Sequence, residues 1–458
     1  MAPSLWGTSN LFSVQNDASE LARIEKALAT RYPYENKMVP DIERIADLLD
    51  LMGSPHRSYP SIHLTGTNGK TTTARMIDAL LREFGVRTGR FTSPHLQSMT
   101  ERIALDGEPV DVERFANAFD EVAPYVEVVD ARHSQRMTFF EVLTGMAFAL
   151  FADAPIDVGV IEVGLGGRWD ATNVVHAPVV VVTSIGLDHV GILGDTVEAI
   201  AGEKAGIIHP GATVVCAAQS EGAARVLVER AAAVGARMAR EGLEFGVRSR
   251  TVAVGGQSLD FAGLGGDYDE IFLPLYGAHQ ADNAACALAA VEAFFAAEDH
   301  GPLDVEVVRA AFAGVRSPGR LEVVRRSPTV LLDGAHNPAG AAALAAAVEE
   351  SFSFERLVGV LAVLADKDVA GVLEELEPVL TDLVVTANSS PRGMPVGALA
   401  EVARDVLGDA RVTVAPRLDD AIDRAVGLAD ASGPGGGVLI TGSIVTVGEA
   451  RTLLGTGS

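Results

Sequence analysis

The chain has 458 residues and a formal net charge of −25 at pH 7, with 48% hydrophobic and 21% charged residues. This length predicts two or three domains, and the composition is that of a folded globular protein rather than a disordered one. Nucleic acids and anionic membranes bind clustered lysine and arginine, so the acidic balance argues against both as partners, although a locally basic pocket could still take small anionic substrates.

The cysteines and the N-terminus point to a reducing compartment. Cys216 and Cys286 lie in apolar surroundings without metal-ligand spacing, and we interpret both as core residues. The first residues lack a basic region followed by a long apolar run, and no stretch reaches the roughly 18 apolar residues of a membrane span. We therefore expect a cytoplasmic protein.

The chain begins with a polar stretch, residues 1–20, that predicts a loose lead-in. Apolar residues at helical spacing then predict helices near Glu20–Thr30 and over Asp41–Leu51. An apolar run, Ile62–Leu64, predicts a strand that leads into a glycine loop, and a helix is predicted over Thr73–Phe84. Strand, glycine loop and helix in this order suit phosphate binding.

The glycine loop runs Gly66-Thr67-Asn68-Gly69-Lys70-Thr71-Thr72. Glycine lets the backbone approach phosphates, the helix N-terminus supplies unpaired N–H groups, Lys70 adds a positive charge, and Thr71 or Thr72 offers a hydroxyl to Mg²⁺. Two residues separate the glycines, where the Walker A pattern has four. The alternative is a glycine turn before an ordinary helix, which leaves the lysine and threonines unexplained. The expected ligand is a nucleoside triphosphate.

Beyond the loop, apolar runs alternate with helical segments, which predicts a parallel sheet covered on both faces. The predicted strands are Arg87–Phe91, Asp157–Val163, Val179–Ser184 and Thr213–Ala217. The predicted helices are Met137–Phe151, Thr196–Ile207, Glu221–Val234 and Ala278–Ala297. Between Leu243 and Leu275 the periodicity shortens and glycines accumulate, which predicts antiparallel strands that close the edge of this sheet.

Proline and glycine cluster around residues 314–319, and a second alternation of strands and helices follows. Its predicted strands are Val330–Leu332, Leu357–Val363, Leu383–Thr386, Arg411–Val414 and Val438–Thr441. We therefore predict a two-domain α/β protein. Residues 1–317 form an N-terminal P-loop-type domain with a mostly parallel sheet flanked by helices, and residues 318–458 form a smaller, Rossmann-like doubly wound sheet.

Four further stretches look chemical because each follows a predicted strand, where ligands bind in open α/β sheets. They are Thr92–Leu96, Glu162–Asp170, Gly186–His189 with Lys204 downstream, and Asp333–Pro338. Ser93, Glu162 and His189 could converge on the phosphates, where a hydroxyl, a carboxylate and an imidazole would make a magnesium site. Taken singly, the histidine is more often a core or capping residue, the glutamate could be a solvated strand end, and the serine an ordinary loop residue.

These stretches belong to an ordered series: GTNGKT, TSPHL, TFFE, EVGLGGRWDATN, GLDH, EKAGI, HQADNA, PGRLE and DGAHNP. The series resembles that of the folylpolyglutamate synthases and dihydrofolate synthases, which belong to the Mur ligase superfamily. It extends over nearly the full chain and is far more specific than any single motif. One departure is Trp169, which stands where many relatives carry leucine and is expected to alter how the pterin ring packs.

The resemblance implies a role for each matching residue. The residues implied in nucleotide binding are Thr67, Asn68, Gly69, Lys70, Thr71, Thr72, Asn283, Arg320 and Asp333. Those implied in substrate binding are Thr138, Phe139, Phe140, Glu141, Trp169, Asp170, Ala171, His336 and Ser443. The implied metal ligands are Ser93, Glu162 and His189, and the implied catalytic residues are Lys70, Glu162, His189 and Lys204. For Thr138 to Phe140, plain helix core is the alternative.

Lys204 matches a lysine that is carbamylated in this family. Carbamylation would turn a buried ammonium, which would repel nearby metals, into an anion. The alternative is a helix lysine paired with Glu203.

The implied reaction is an ATP-driven ligation. It adds L-glutamate to dihydropteroate, or to the γ-carboxyl of tetrahydrofolate, through an acyl phosphate. The resemblance implies ATP and two Mg²⁺ and allows a potassium ion; it implies pterin or folate, L-glutamate and ATP as partners, and a monomer.

Two alternatives remain: a Mur-type ligase for a cell-wall precursor, and a nucleotide-gated binding protein. The TSPHL and TFFE stretches argue against the first. A second domain with its own sheet, carrying Asp333 and His336, argues against the second.

Overall fold

The computed structural model describes residues 9–31, 41–296 and 301–456. Within these ranges the strands form three sheets. The strands of the first sheet are β1 (Ser61–Thr65), β2 (Thr88–Phe91), β3 (Ile103–Leu105), β4 (Glu108–Pro109), β5 (Val158–Glu162), β6 (Val179–Val182), β7 (Thr213–Cys216) and β8 (Arg237–Arg240). Those of the second are β9 (Gly246–Ala253), β10 (Gly256–Ala262) and β11 (Asp267–Leu273). Those of the third are β12 (Glu322–Arg326), β13 (Thr329–Leu332), β14 (Arg356–Leu361), β15 (Asp382–Val385), β16 (Val412–Val414) and β17 (Gly436–Thr441).

The α-helices of the same ranges cover both faces of the two larger sheets. The helices before residue 297 are α1 (Ser9–Ala29), α2 (Glu43–Leu51), α3 (Lys70–Glu83), α4 (Val112–Arg132), α5 (Phe139–Asp153), α6 (Val190–Leu193), α7 (Val197–Lys204), α8 (Glu221–Val234) and α9 (Ala278–Phe295). The later helices are α10 (Val305–Ala313), α11 (Pro338–Ser351), α12 (Val369–Leu376), α13 (Val396–Leu407), α14 (Leu418–Asp430) and α15 (Ile444–Leu453). None of the described helices is long and apolar enough to cross a membrane.

The first sheet has the order β4-β3-β2-β5-β1-β6-β7-β8 and is parallel apart from β3 and β4 at one edge. Its central strands are buried along their whole length, as expected for a parallel sheet covered on both faces. The carboxyl ends of β1, β2, β5 and β6 therefore lie along one edge of the sheet. The loops that follow these strands carry the candidate site residues.

The prediction that antiparallel strands close the edge of this sheet is wrong. Strands β9 to β11 are antiparallel, but they form a separate sheet, and the first sheet ends with β8, which pairs in parallel with β7. Leu259, Phe261 and Ile271 on the small sheet share one core with α9 and Phe312 of α10. The strands are thus held by their apolar face against helices rather than by pairing with the large sheet.

The N-terminal lead-in prediction is also wrong for residues 9–19, because α1 begins at Ser9. Residues 1–8 lie outside the described residues. The C-terminal half of α1 buries Ile24 and Leu28 in the core that also contains residues of α4 and α5. Tertiary packing of this kind stabilises helices that local composition does not announce.

The third sheet has the order β12-β13-β17-β14-β15-β16, with β12 antiparallel to β13 and the other strands parallel. Separate apolar cores cover its two faces, as a doubly wound sheet requires. The α/β fold with two mostly parallel sheets is therefore confirmed. Cys216 and Cys286 are free and buried, which confirms them as core residues.

Candidate active site

The glycine loop fits closely between its neighbours. Gly66 and Gly69 have φ of +149° and +88°, and a Cβ on them would come within 1.8 Å of Thr183 Oγ1 and 2.3 Å of Asn283 Oδ1. Only glycine therefore fits at both positions. Thr67 fixes the loop to the segment after β6, because its hydroxyl donates to the Gly186 carbonyl at 3.0 Å.

Lys70 begins α3, three residues earlier than predicted, and its ammonium folds back over the loop. Its Nζ donates to the carbonyl oxygens of Gly66 at 3.1 Å and Thr67 at 3.2 Å. Burial lowers the pKa of Lys70, and the nearby carboxylates of Glu162 and Asp188 oppose that shift. The loop thus presents a positive charge and the free N–H groups of a helix N-terminus.

Glu162 joins three loops at the carboxyl end of β5. Both of its carboxylate oxygens accept from Thr71 Oγ1 at 3.0 Å, and Oε2 also accepts from the backbone N–H of Ser93 at 3.3 Å. The side chain is 1% exposed, and burial raises its pKa while Lys70 opposes the shift. Thr71, rather than Thr72, is the threonine beside this carboxylate, since the Thr72 hydroxyl is buried against Ser317 Oγ at 2.9 Å.

Asp188 connects the two larger sheets. Its carboxylate accepts from Lys367 Nζ at 2.6 Å and Asn337 Nδ2 at 3.2 Å, and lies 3.4 Å from His336 Nε2. Burial alone would raise the pKa of Asp188, but the hydrogen bond with His336 and the charges of His189 and Lys367 outweigh it and hold the pKa well below its usual range.

A second contact between the sheets lies beside this cluster. The side-chain amides of Asn68 and Asn337 exchange two hydrogen bonds, of 3.1 and 3.2 Å. The glycine loop therefore faces the loop after β13 directly.

His189 sits next to Asp188 with a left-handed backbone, φ +50°, and its Nε2 lies 4.0 Å from the Asp188 carboxylate. Burial and the Lys367 charge lower its pKa to about 4, so the imidazole is neutral at pH 7. A neutral imidazole has a lone pair for a metal. In the part of the chain that the structure describes, no three His, Cys, Asp or Glu side chains are grouped to hold a metal ion by themselves.

Lys204, the last residue of α7, also contacts the glycine loop. It is 4% exposed, and its Nζ donates to the Gly66 carbonyl at 2.7 Å. Burial and the charge of Lys70 lower its pKa to about 7. Its hydrogen bond is therefore to the glycine loop rather than to Glu203, the partner of the alternative interpretation.

Asn283 and Asp333, two of the residues implied in nucleotide binding, already have partners within the protein. Asn283 packs against Gly69, and its Nδ2 donates to Gln280 Oε1 at 3.0 Å. Asp333 uses both oxygens on the backbone N–H groups of Leu321 and Ala335, at 2.7 and 2.8 Å. Burial raises the pKa of Asp333, and the guanidinium of Arg320 opposes the shift.

The TFFE stretch caps α5. Thr138 and Glu141 form a capping box, and Glu141 also pairs with Arg44 at 2.8 Å, so both side chains already have structural partners. Phe139 is buried, which suits the helix-core alternative. Phe140 is half-buried and lies against Gly164, where a Cβ would approach its ring to 2.5 Å.

The other implied substrate residues divide in the same way. Asp170 caps the short helix Ala171–Val174 and is fully hydrogen-bonded within the protein, and Ser443 is the buried N-cap of α15. Ala171 is buried, whereas Trp169 is 50% exposed. Of this group, the tryptophan offers the largest free apolar surface.

Three residues of the contact between the two larger sheets, Asp188, Asn337 and Lys367, have no role predicted from the sequence. Asp188 and Asn337 lie inside two of the motifs named above, GLDH and DGAHNP, so the sequence offered a signal that could have singled them out. Lys367 lies in the plain segment ADKD and carries no local signal. Only the folded arrangement brings its ammonium to Asp188.

Known proteins match this chain over nearly its full length. Two families match: the Mur ligase middle domain over residues 64–291, and the Mur ligase glutamate ligase domain over residues 319–444. The dihydrofolate synthase/folylpolyglutamate synthase of Mycobacterium tuberculosis is 50% identical, over 99% of this chain and 98% of that protein. The enzyme of the same name from Bacillus subtilis is 33% identical, over 91% and 95%.

Solved structures are similar as well. The M. tuberculosis folylpolyglutamate synthase complexed with ADP and AMPPCP is 52% identical, with a TM-score of 0.91 over 96% of this chain and 99% of that one. Escherichia coli FolC in complex with DHPP and ADP is 31% identical, with a TM-score of 0.81 over 96% and 98%.

Proposed function

The chain belongs to the dihydrofolate synthase/folylpolyglutamate synthase family of Mur ligases and is an ATP-dependent ligase that adds glutamate to folates, and from this premise we propose how its residues perform the reaction. A carboxylate is a poor acyl donor until it is phosphorylated. We infer that the folate carboxylate attacks the γ-phosphate of ATP to give an acyl phosphate and ADP. The α-amine of L-glutamate then attacks the acyl carbon, and the tetrahedral intermediate expels phosphate.

The glycine loop holds the triphosphate. The backbone N–H groups of Gly69, Lys70 and Thr71 point to the phosphates, whereas that of Asn68 donates to the Ser184 carbonyl. The ammonium of Lys70 turns from its carbonyl partners to the transferring phosphoryl group. The partly buried state of Lys70 supports this, because a charge shielded from water acts more strongly on a phosphate. Arg320 adds a second positive charge, since its guanidinium is close enough to help lower the pKa of Lys70 and to oppose the rise in the pKa of Glu162.

The residues fit magnesium. Glu162 would supply a buried carboxylate, Thr71 the hydroxyl that is bonded to it, Ser93 a hydroxyl from the loop whose backbone N–H bonds it, and His189 a neutral imidazole. Bound Mg²⁺ neutralises charge on the phosphates during phosphoryl transfer. The protein's own part is to keep Glu162 ionised and oriented, which the hydroxyl of Thr71 and the charge of Lys70 favour.

Lys204 suits carbamylation. Only a neutral amine reacts with CO₂, and a pKa of about 7 leaves a large neutral fraction at physiological pH. The ammonium of Lys204 would repel Lys70 and the metals. Carbamylation would turn it into an anion, which would attract them. We also propose a potassium ion near the phosphates, as the resemblance allows.

The substrate acid lies between Phe140 and Trp169. The exposed indole and the half-buried phenyl ring offer faces for the pterin ring, whereas Thr138, Glu141, Asp170 and Ser443 shape the site through the helices they cap. The incoming glutamate approaches from the third sheet, beside His336. Both dihydropteroate and tetrahydrofolate are substrates under this proposal.

We propose a domain boundary between residues 317 and 318. The match to the middle-domain family ends at residue 291, the match to the glutamate ligase family begins at residue 319, and β12 begins at Glu322, all of which support this boundary.

We also propose that the protein is a monomer. Size-exclusion chromatography with light scattering tests this, since the mass of a dimer would contradict it.

The observation that carries this mechanism is the Glu162 carboxylate, which is bonded to both the phosphate loop and the Ser93 loop, where Asn337 after β13 of the third sheet contacts the phosphate loop. Mass spectrometry of products tests it, with dihydropteroate and tetrahydrofolate supplied separately. Each is expected to gain glutamate, with phosphate released only when ATP, folate and glutamate are all present. Turnover of a UDP-muramyl substrate, or phosphate release without glutamate, would contradict it.

A further inference from the structure

The segment that follows β2 carries Ser93 and is pinned by the carboxylate of Glu101. This carboxylate accepts from three successive backbone N–H groups, those of Leu96 at 2.8 Å, Gln97 at 2.9 Å and Ser98 at 2.8 Å. Hydrogen bonds from N–H groups to a carboxylate are among the stronger ones in proteins, so they fix the backbone here. The segment is therefore rigid around Gln97, four residues from Ser93.

The inner end of this segment touches the proposed metal site. The backbone N–H of Ser93 donates to Glu162 Oε2 at 3.3 Å, and the hydroxyl of Thr71 donates to the same carboxylate at 3.0 Å. One of the partners that orient Glu162 therefore comes from the segment after β2. A shift of this segment would move Ser93 and its bond to Glu162 together.

The outer end of the segment is bonded to α15 of the second domain. Gln97 Nε2 donates to Thr452 Oγ1 at 3.1 Å, and Gln97 Oε1 accepts from Arg451 Nε at 3.0 Å. Arg451 is 6% exposed and forms an ion pair with Glu322 on β12. Both halves of the Gln97 amide are thus used by the second domain, and one partner is itself anchored to the third sheet.

Close packing accompanies these hydrogen bonds. The side chain of Leu96 packs against the apolar core on one face of the third sheet, next to Val447 of α15. A Cβ on Gly448 would lie 1.9 Å from the carbonyl oxygen of Leu96. Only glycine therefore lets α15 come this close to the backbone of the segment.

We propose that Gln97 is a positioning residue, through which α15 sets the place of Ser93 beside Glu162. Metal binding by the first domain then depends on the docking of the second. This inference rests on the proposed function and deepens it, because it gives Gln97 a part in metal binding without contact to the metal.

The test measures Mn²⁺ affinity by EPR, on the full chain with a non-hydrolysable ATP analogue bound. Mn²⁺ takes the same oxygen ligands as Mg²⁺. Gln97→Met keeps the length of the side chain and removes both hydrogen bonds, so Mn²⁺ affinity should fall at least ~3-fold. Gln97→Glu keeps both, since a carboxylate accepts from Arg451 and from the hydroxyl of Thr452, and its Mn²⁺ affinity should stay within about twofold of the parent's.

A pair of glycine variants tests the same contact by steric means. Gly448→Ala places a methyl group against the Leu96 carbonyl and should also weaken Mn²⁺ binding at least ~3-fold, although alanine is the better helix former. Gly427→Ala is the matched control, because Gly427 also lies inside a helix, α14, and a Cβ there would meet no atom within 4 Å. This control should bind Mn²⁺ as the parent does.

Ser93→Ala separates this inference from the proposed function. If Ser93→Ala binds Mn²⁺ more weakly while Gln97→Met binds it as the parent does, the inference is overturned and the metal site stands. Unchanged binding in Ser93→Ala would overturn the role of Ser93 and the inference with it. Equal losses in Gln97→Met and Gln97→Glu would also overturn the inference, since the hydrogen bonds would then not be the cause. Gln97 is only half-buried, so its variants decide the matter even if Gly448→Ala does not fold.

Discussion

Replacing Glu162 by glutamine removes one charge from the proposed metal site and keeps the shape of the side chain. The carboxylate is 1% exposed and accepts from Thr71 and Ser93. A preorganised electrostatic contact to reacting groups is worth about 3–4 kcal/mol, so Glu162→Gln should lower kcat by at least ~10²-fold. Lys70→Ala should lose at least as much. The assay is steady-state phosphate release with saturating ATP, folate and glutamate.

Stability should move little, because burial raises the pKa of Glu162 and the neutral amide avoids the cost of burying a charge. Glu292→Gln is the matched control: Glu292 is also buried, its pKa is also raised by burial, and it bonds Leu264, Gly265 and Tyr268 in the small-sheet region. This control should turn over within about threefold of the parent. A folded Glu162→Gln enzyme with equally unchanged kcat would refute the role given to Glu162.

Three further outcomes are expected. Asp188→Asn and Lys367→Met should each lower kcat/KM by ~10-fold, because each breaks the same buried ion pair. In the double variant kcat/KM should fall by less than the product of the two single losses, and a fall equal to that product would disprove the coupling. Lys204→Ala should lose at least ~10-fold in kcat and recover partly in acetate, which supplies a carboxylate near the missing carbamate; full activity without acetate would contradict carbamylation. Burial lowers the pKa of His56 from 6.5 to about 4, so the folded protein binds its proton less readily than the unfolded chain does. The free energy of unfolding should therefore be highest above pH 6.5 and fall by up to about 3 kcal/mol as the pH drops from 6.5 to 4. If urea titrations show the same acid loss for His56→Gln as for the parent, His56 is not the cause.

Local signals in the sequence predict the strand, loop and helix around Lys70 and the place of Glu162 at the end of a buried strand, and the structure has both; the roles of these residues stay predictions. A glycine loop between an apolar strand and a helix is a feature of adjacent residues, and a carboxylate at the end of a buried strand is equally local. The capping box of Thr138 and Glu141 was also readable, as threonine followed three residues later by glutamate before an apolar run. That pattern weakens the direct substrate contact implied for both side chains, which stays a prediction.

The contacts between the two larger sheets and the packing of the small sheet were not predicted. The ion pair of Asp188 with Lys367 joins residues 179 positions apart, and it exists only because the two sheets face each other. The same reason explains why β9–β11 were assigned to the large sheet, since antiparallel pairing is local but the choice of packing partner is not. Helix α4 had no prediction, and it continues through Pro124.

A crystal structure with Mg²⁺ and a non-hydrolysable ATP analogue tests most directly whether both domains hold one nucleotide. We expect the terminal phosphate within bonding distance of Lys70, with metal between it and Glu162. We also expect contacts to the base or ribose from Asn283 and from Asp333 or Arg320. A nucleotide that touches the first domain alone, with metal remote from Glu162, would contradict the proposed mechanism.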